Sequence, residues 1–289
     1  MRYSVIHNTF FDYEMPVVSA HQVLRLKPRD VINRQQVLKH RLVLSMQGAD
    51  NTELLDYFGN HLLEVRLYAQ HQGFSIRSES EIDIAPRDNI LLDLSPPWEQ
   101  VAAEMRDPES IEAWEAVQFA FASPLVDVDA ARAYAQEFAA PEIPLLRLAL
   151  NLTETIYRDF SYQGGVTDIH TQVGDVIAEK RGVCQDFAHV ALAVLRALGL
   201  AARYVSGYIL SQPAGQPALQ GAEASHAWIS VYCPEFGWID FDPTNNQMTG
   251  DQHITLGWGR DYGDVAPTRG AILGGGRQKV DVEVAVRPI

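Results

Sequence analysis

An α+β fold, with a helix packed on antiparallel sheet, is what this chain predicts, and three observations predict it. Its first 86 residues alternate polar and apolar positions, a strongly apolar helical stretch begins at Cys184, and a hairpin near the end of the chain carries His226 on one arm and Asp242 on the other. Arg2-Tyr3-Ser4-Val5-Ile6, Leu38 to Leu44 and Leu62 to Leu67 have the two-residue period of half-buried strands, whereas Ser75 to Ile84 is mostly polar and reads as an edge. Antiparallel strands with polar outer faces predict a small sandwich-like N-terminal β domain over residues 1–88. Pro86, Pro96 and Pro97 mark a boundary, and the acidic, Ala-rich stretch that follows is helical near 109–121 and 128–139. Residues 89–144 are therefore expected to form a helical linker region, and a helix from Leu145 to Tyr157 to open a core spanning 145–289.

The helix after Gly182 is the clearest element. Phe187, Ala191, Val194, Leu195 and Leu198 fall on one face, Ala188, Val190 and Leu192 widen the apolar surface, and Gly199 stands where a left-handed cap is wanted. Ser225 to Tyr232 alternates, Cys233-Pro234-Glu235-Phe236-Gly237 makes a turn, and Trp238 to Asp242 alternates again up to Pro243. Gly274-Gly275-Gly276 bends the chain before a last strand, Lys279 to Val286. It has neither the Gly-Lys-Ser/Thr ending nor the following helix of a phosphate loop.

Cys184 stands at the start of its helix, where free backbone N–H groups and the helix dipole favour negative charge. A buried structural cysteine would fit the same position. The hairpin favours chemistry: His226 and Asp242 lie on adjacent strands within reach of one another, so the carboxylate fixes the ring and leaves its other nitrogen for a thiol. Asp240 points to the same face and rivals Asp242. His189 follows Cys184 on the helix, but no Cys-x-x-Cys or His-Glu-x-x-His pattern supports a metal, and it reads as structural.

The segments Arg181-Gly182-Val183-Cys184-Gln185-Asp186-Phe187-Ala188-His189, Leu195 to Tyr208, His226-Ala227-Trp228 and Gly237-Trp238-Ile239-Asp240-Phe241-Asp242-Pro243-Thr244 together resemble the core of bacterial transglutaminase-like proteins. Tyr13 to Val17, Leu24 to Asp30 and Asp56-Tyr57-Phe58-Gly59-Asn60 resemble the domain that precedes it, and Gly257 to Pro267 the region that follows. The resemblance implies a papain-like fold and a cysteine peptidase or amidase, with Cys184 as nucleophile, His226 as base and Asp242, rather than Asp240, as the orienting acid. An acyl transferase, or a non-catalytic protein-binding module of the same fold, are the alternatives. Tyr162 or Gln163, just before the helix, are candidates for an oxyanion donor beside the Cys184 N–H, and Trp228 and Trp238 for walls of a substrate channel. Arg260, Asp261 and Asp264 form either a salt-bridged loop or substrate contacts.

The chain has 289 residues, 47% of them hydrophobic and 21% charged, enough for two domains with cores of their own. A net charge of −14 disfavours nucleic acid and anionic membranes as partners. Only two cysteines are present, Cys184 and Cys233, too few for a disulfide framework. The first fifteen residues have no apolar core of a secretory signal, and the longest apolar run, Val190 to Val205, is interrupted by Arg196 and Arg203. These features lead to the expectation of a cytoplasmic enzyme without cofactor, acting on a peptide or amide.

Overall fold

The computed structural model describes every residue except 88, 89, 212–218 and 223. The expected boundary between 88 and 89 lies outside the described residues. In chain order the elements are β1 (Arg2–Leu24), β2 (Gln35–Leu44), β3 (Asp50–Leu55), β4 (His61–Leu67) and β5 (His71–Ile84), then α1 (Trp98–Glu104), α2 (Ile111–Val117), α3 (Val128–Ala135) and α4 (Leu145–Asp159). They continue with β6 (Ser161–Tyr162), α5 (Val173–Glu179), β7 (Arg181–Gly182), α6 (Cys184–Ala197), β8 (Ala202–Ile209), β9 (His226–Cys233), β10 (Gly237–Asp242), β11 (Gln247–Met248), β12 (His253–Gly259), α7 (Tyr262–Val265), β13 (Thr268–Gly274) and β14 (Gln278–Pro288). The architecture is the α+β one that the sequence predicts.

The N-terminal β region takes the form of one antiparallel sheet curled on itself, ordered β2-β5-β1-β4-β3, with β13 and β14 also paired to β1. The curl comes from β1, which changes partners along its length. Residues 2–12 pair with β5 and 3–13 with β14; beyond a kink at Glu14–Pro16, residues 17–24 pair with β13 and 20–24 with β4. Such an irregularity bends a strand and increases its twist. Gly274, Gly275 and Gly276 follow the kink on the neighbouring path with positive φ throughout (98°, 89° and 64°), a conformation that glycine adopts without strain. Met15 N–H donates to Gly275 O at 2.9 Å there. The inner face buries Phe11, Tyr13, Val17, Leu24, Val65 and Ile76.

Strand β5 differs from its expectation. It is no edge, since β2 and β1 flank it on both sides. Its polar residues mislead because two of them are buried and paired: the Ser78 hydroxyl donates to Leu26 O at 2.9 Å, and the Ser80 hydroxyl lies 3.0 Å from His40 Nδ1.

The second sheet is ordered β11-β10-β9-β8-β12, and α6 lies against β8 and β9 with α3, α4 and α5 around it. Helix α6 starts where it does because Asp186, in its first turn, reaches back to accept from Val183 N–H at 2.8 Å. It ends at Gly199, whose φ of +82° supplies the left-handed cap. Nearly the whole helix is buried. Arg196, which interrupts its apolar run, is buried too, and its guanidinium donates to Ala202 O, Phe121 O and Arg260 O.

Strand β12 is the edge of this sheet, and the N-terminal region covers that edge with side chains. Gln35 donates from Nε2 to Thr255 O at 2.7 Å and accepts from Thr255 N–H at 2.8 Å. Asn60 does the same at Trp258, at 2.8 Å to the carbonyl and 3.0 Å from the N–H. Two primary amides thus stand in for a missing neighbouring strand and satisfy an edge that would otherwise carry unpaired groups. Asp56 holds Asn60 in place by accepting from its backbone and its side-chain amide, and Arg25 pairs with Asp56 at 3.2 Å. No helix among the described residues is long and apolar enough to cross a membrane.

Candidate active site

The hairpin β9–β10 explains which carboxylate serves His226. Its register places Asp240 opposite Ser230 and Phe241 opposite Ile229. Each aspartate on the shared face reaches diagonally, two residues back along β9, a step within side-chain range. Asp240 therefore takes Trp228, accepting from its indole N–H at 3.2 Å, and Asp242 takes His226, with Nε2 2.9 Å from Oδ2. Trp228 is fully buried and sits between His226 and His253, with ring centroids 6.2 and 5.3 Å away.

Asp242 is a fully buried anion held by five donors. Its Oδ1 accepts from the N–H groups of Thr244 and Asn245, and its Oδ2 from His226, from the Asn245 amide at 2.8 Å and from His253 Nε2 at 3.2 Å. Burial works against its charge, but His226 and the hydrogen bonds of His226 and His253 outweigh that and hold the carboxyl far below its ordinary range. Burial also works against charge on His226. The negative charge of Asp242, the Cys184 thiol and the hydrogen bonds of both overcome it and raise the ring to about 10. Since Asp242 can only accept, Nε2 carries the proton toward it. Nδ1 is buried and has no hydrogen-bond partner among the described residues.

Cys184, at the start of α6, is 9% exposed, and its thiol is among the groups that raise the His226 ring. His226 and Asp242 are therefore in direct contact, with Cys184 near enough to influence the ring. Cys233 lies apart at the end of β9, where burial and the neighbouring Glu235 push its thiol up to about 12. Gly221 lies close to the ring. A Cβ at Gly221, whose φ is +86°, would stand 2.6 Å from His226 Nδ1 and 3.6 Å from the Tyr162 hydroxyl.

The remaining candidates are placed as follows. Tyr162 and Gln163 lie beside the segment entering α6: β6 pairs in parallel with β7, and Gln163 N–H donates to Gly182 O at 2.8 Å. Tyr162 also packs edge-on against Phe187 at 6.2 Å. Trp238 stands at the other end of β10 from Asp242, stacked 4.2 Å from the Arg203 guanidinium, and Trp258 covers that cation at 3.7 Å. His189 accepts from Tyr262 N–H at 3.2 Å, and burial lowers it to about 4, so it is neutral. Arg260 and Asp264 form a two-point ion pair, and Asp261 caps α7.

Three residues near the site escaped sequence reasoning. Burial raises the hydroxyls of Tyr204 and Tyr262, and the charge of Cys184 adds to it in both. His253 is the third. Nothing in its local sequence marks it, because it meets Asp242 only through the fold.

Residues 132–243 match the model of the transglutaminase-like superfamily, and residues 3–83 that of the bacterial transglutaminase-like N-terminal region. An uncharacterized protein of Mycobacterium tuberculosis is 38% identical over 99% of this chain and 93% of its own length. One of Mycobacterium leprae is 31% identical over 99% of this chain and 98% of its own. Among solved structures, a candidate cysteine protease from Cytophaga hutchinsonii has the same fold, with a TM-score of 0.78 and 21% identity over 100% of this chain and 91% of that one.

Proposed function

Since the chain belongs to the transglutaminase-like superfamily, with the bacterial transglutaminase-like N-terminal region ahead of the core, we propose that it is a cysteine-dependent peptidase or amidase acting through Cys184, His226 and Asp242. The observation that carries this reading is the buried hydrogen bond between the His226 imidazole and the Asp242 carboxylate, on a ring that also feels the Cys184 thiol from the start of α6.

In this reading, His226 takes the Cys184 proton and holds it as an imidazolium stabilised by Asp242. The thiolate attacks the carbonyl carbon, and the tetrahedral oxyanion rests on the free N–H of Cys184 at the helix start. Collapse breaks the C–N bond, His226 gives its proton to the departing amine, and a thioester is left on Cys184. Water, deprotonated by the same ring, then releases the acid and restores the thiol. A primary amine in place of water would give transfer instead.

A peptide and amide library, supplied with and without a primary amine, tests this. Wild type should turn over part of it and show an acyl adduct on Cys184 by mass spectrometry. Cys184→Ala should fold normally and lose at least about a thousand-fold in rate, as expected for loss of a triad member. Activity kept by the Ala variant would remove Cys184 as nucleophile. Labelling with iodoacetamide near neutral pH separates the enzyme from a binding module: Cys184 should react well ahead of Cys233, whose thiol stays protonated.

A further inference from the structure

Asp242 is shared between two histidines, and the triad accounts for only one. His253 reaches the same Oδ2 from the opposite strand edge, 3.2 Å away, with its side chain 2% exposed. Its other ring nitrogen, Nδ1, is buried without a partner among the described residues. The charged and titratable groups facing it are Asp242 from β10 and His226 from β9, and the Trp228 ring meets it edge-on.

A polar ring with an orphaned nitrogen is a poor choice for filling space. An apolar side chain against Trp228 would avoid the penalty of burying that nitrogen unpaired. What the imidazole offers and an apolar group cannot is one N–H aimed at the carboxylate that orients His226.

Resting on the proposed triad, we propose that His253 is a positioning residue: from edge strand β12 it donates to Asp242 Oδ2 and fixes the direction in which that carboxylate presents itself to His226. The strand that carries it is held from outside the catalytic core. Two residues on, Thr255 is clasped by Gln35, and three residues back, Gly250 O accepts from Arg34 at 2.6 Å. The N-terminal sheet thereby reaches the site through His253.

The experiment is the rate of Cys184 alkylation by iodoacetamide as a function of pH, which needs no substrate, in full-length wild type, His253→Leu, His253→Gln and His226→Ala, each checked for folding by circular dichroism and thermal melting. Without the donor the carboxylate and ring lose register with the sulfur. His253→Leu should then alkylate roughly ten- to a hundred-fold more slowly near neutral pH, the scale of a small misplacement at a reacting centre. His253→Gln, whose amide N–H can reach the same oxygen, should recover most of the rate and the shape of the profile. A role in packing alone would leave the folded Leu variant with the wild-type profile, or make Gln as damaging as Leu, and either result overturns the proposal. If His253→Leu fails to fold, the Gln variant decides alone: a near-wild-type profile supports the proposal and a profile like that of His226→Ala overturns it. The triad reading fails separately, and takes this proposal with it, if wild-type Cys184 reacts no faster than an ordinary thiol and His226→Ala changes nothing.

Discussion

Two aspartates two residues apart on one strand face have different fates, and the difference lies in the register. Asp240 and Asp242 each reach one diagonal step along β9, so the partner is decided by which residue stands there, Trp228 or His226. The sequence brings both carboxylates to the right face but does not select between them, because a spacing along the chain does not reveal a diagonal; only the resemblance favours Asp242. Asp242→Asn should slow turnover roughly 10²- to 10⁴-fold, since an amide no longer fixes the tautomer or supports an imidazolium. Asp240→Asn should be nearly silent, because its amide oxygen still accepts from Trp228. Steady-state rates of the two variants check this, and the reverse order would assign the orienting role to Asp240. The same pair makes stability depend on pH in a defined direction. His226 is raised from 6.5 to about 10, so its charge contributes in full below about pH 6.5 and is lost as pH rises through about 10. Asp242 is lowered, so its contribution is present above its ordinary value of 3.8 and is lost as pH falls through the lower folded value. Asp242→Ala should therefore lose most stability relative to wild type between about pH 4 and 6.5, by about 3–5 kcal/mol, with the gap narrowing toward about pH 10. Urea unfolding across that range measures it, and a gap that stays level above about pH 6.5 would mean that folded His226 is uncharged.

Elements were legible in proportion to how local their causes are. Helix α6 could be read from its apolar face, Gly182 and Gly199, and the β9–β10 hairpin from its alternation and turn, since each depends on residues a few positions apart. Strand β5 was misread because Ser78 and Ser80 find partners at Leu26 and His40, many residues away, and so stay inside the sheet despite their polarity. Gly221 was not legible as a neighbour of His226, yet a Cβ there would stand 2.6 Å from its Nδ1. Gly221→Ala meets two obstacles, a φ of +86° that alanine adopts only with strain and a methyl 2.6 Å from His226 Nδ1. The strain alone should cost about 1–2 kcal/mol. The methyl must also push the ring or the loop aside, so Cys184 alkylation should slow by roughly tenfold or more. Wild-type alkylation in a folded Gly221→Ala protein would show that position 221 does not govern the placement of the ring.

At the scale of the whole molecule, the N-terminal sheet and the sheet that carries His226 and Asp242 are joined by side chains that mimic a strand. The stretches Leu24 to Asp30 and Asp56 to Asn60 stood out in the sequence as motifs, but their purpose did not, because Gln35 and Asn60 meet partners about two hundred residues later in the chain. Asp56 shapes the turn that aims Asn60, Arg29 donates to Asn60 and stacks 3.3 Å from Trp258, and Gly257 leaves room for the amide, since a Cβ there would lie 2.6 Å from Asn60 Oδ1. The C-terminal strands return the connection, because β13 and β14 both pair with β1. Neither sheet is therefore complete without residues from the other end of the chain. Gln35→Leu isolates one part of this joint. It removes the partner of the half-buried Thr255 N–H and C=O and of Arg29 O, and three such groups, each partly exposed and so at the low end of about 1–3 kcal/mol, should lower unfolding stability by roughly 2–6 kcal/mol. Gln36→Leu, one residue on and exposed, should change stability by less than about 0.5 kcal/mol. Because β12 also carries His253, the Gln35 variant should slow Cys184 alkylation under conditions where it is still folded, and Gln36→Leu should not. Urea titration and alkylation of the two full-length variants measure both effects. Equal stability in the two variants would show that water replaces the Gln35 amide at the edge of β12, and the sheets would then be held together by their apolar contact of Tyr3, Val5 and Ile82 with Tyr208, Ile254 and Leu256.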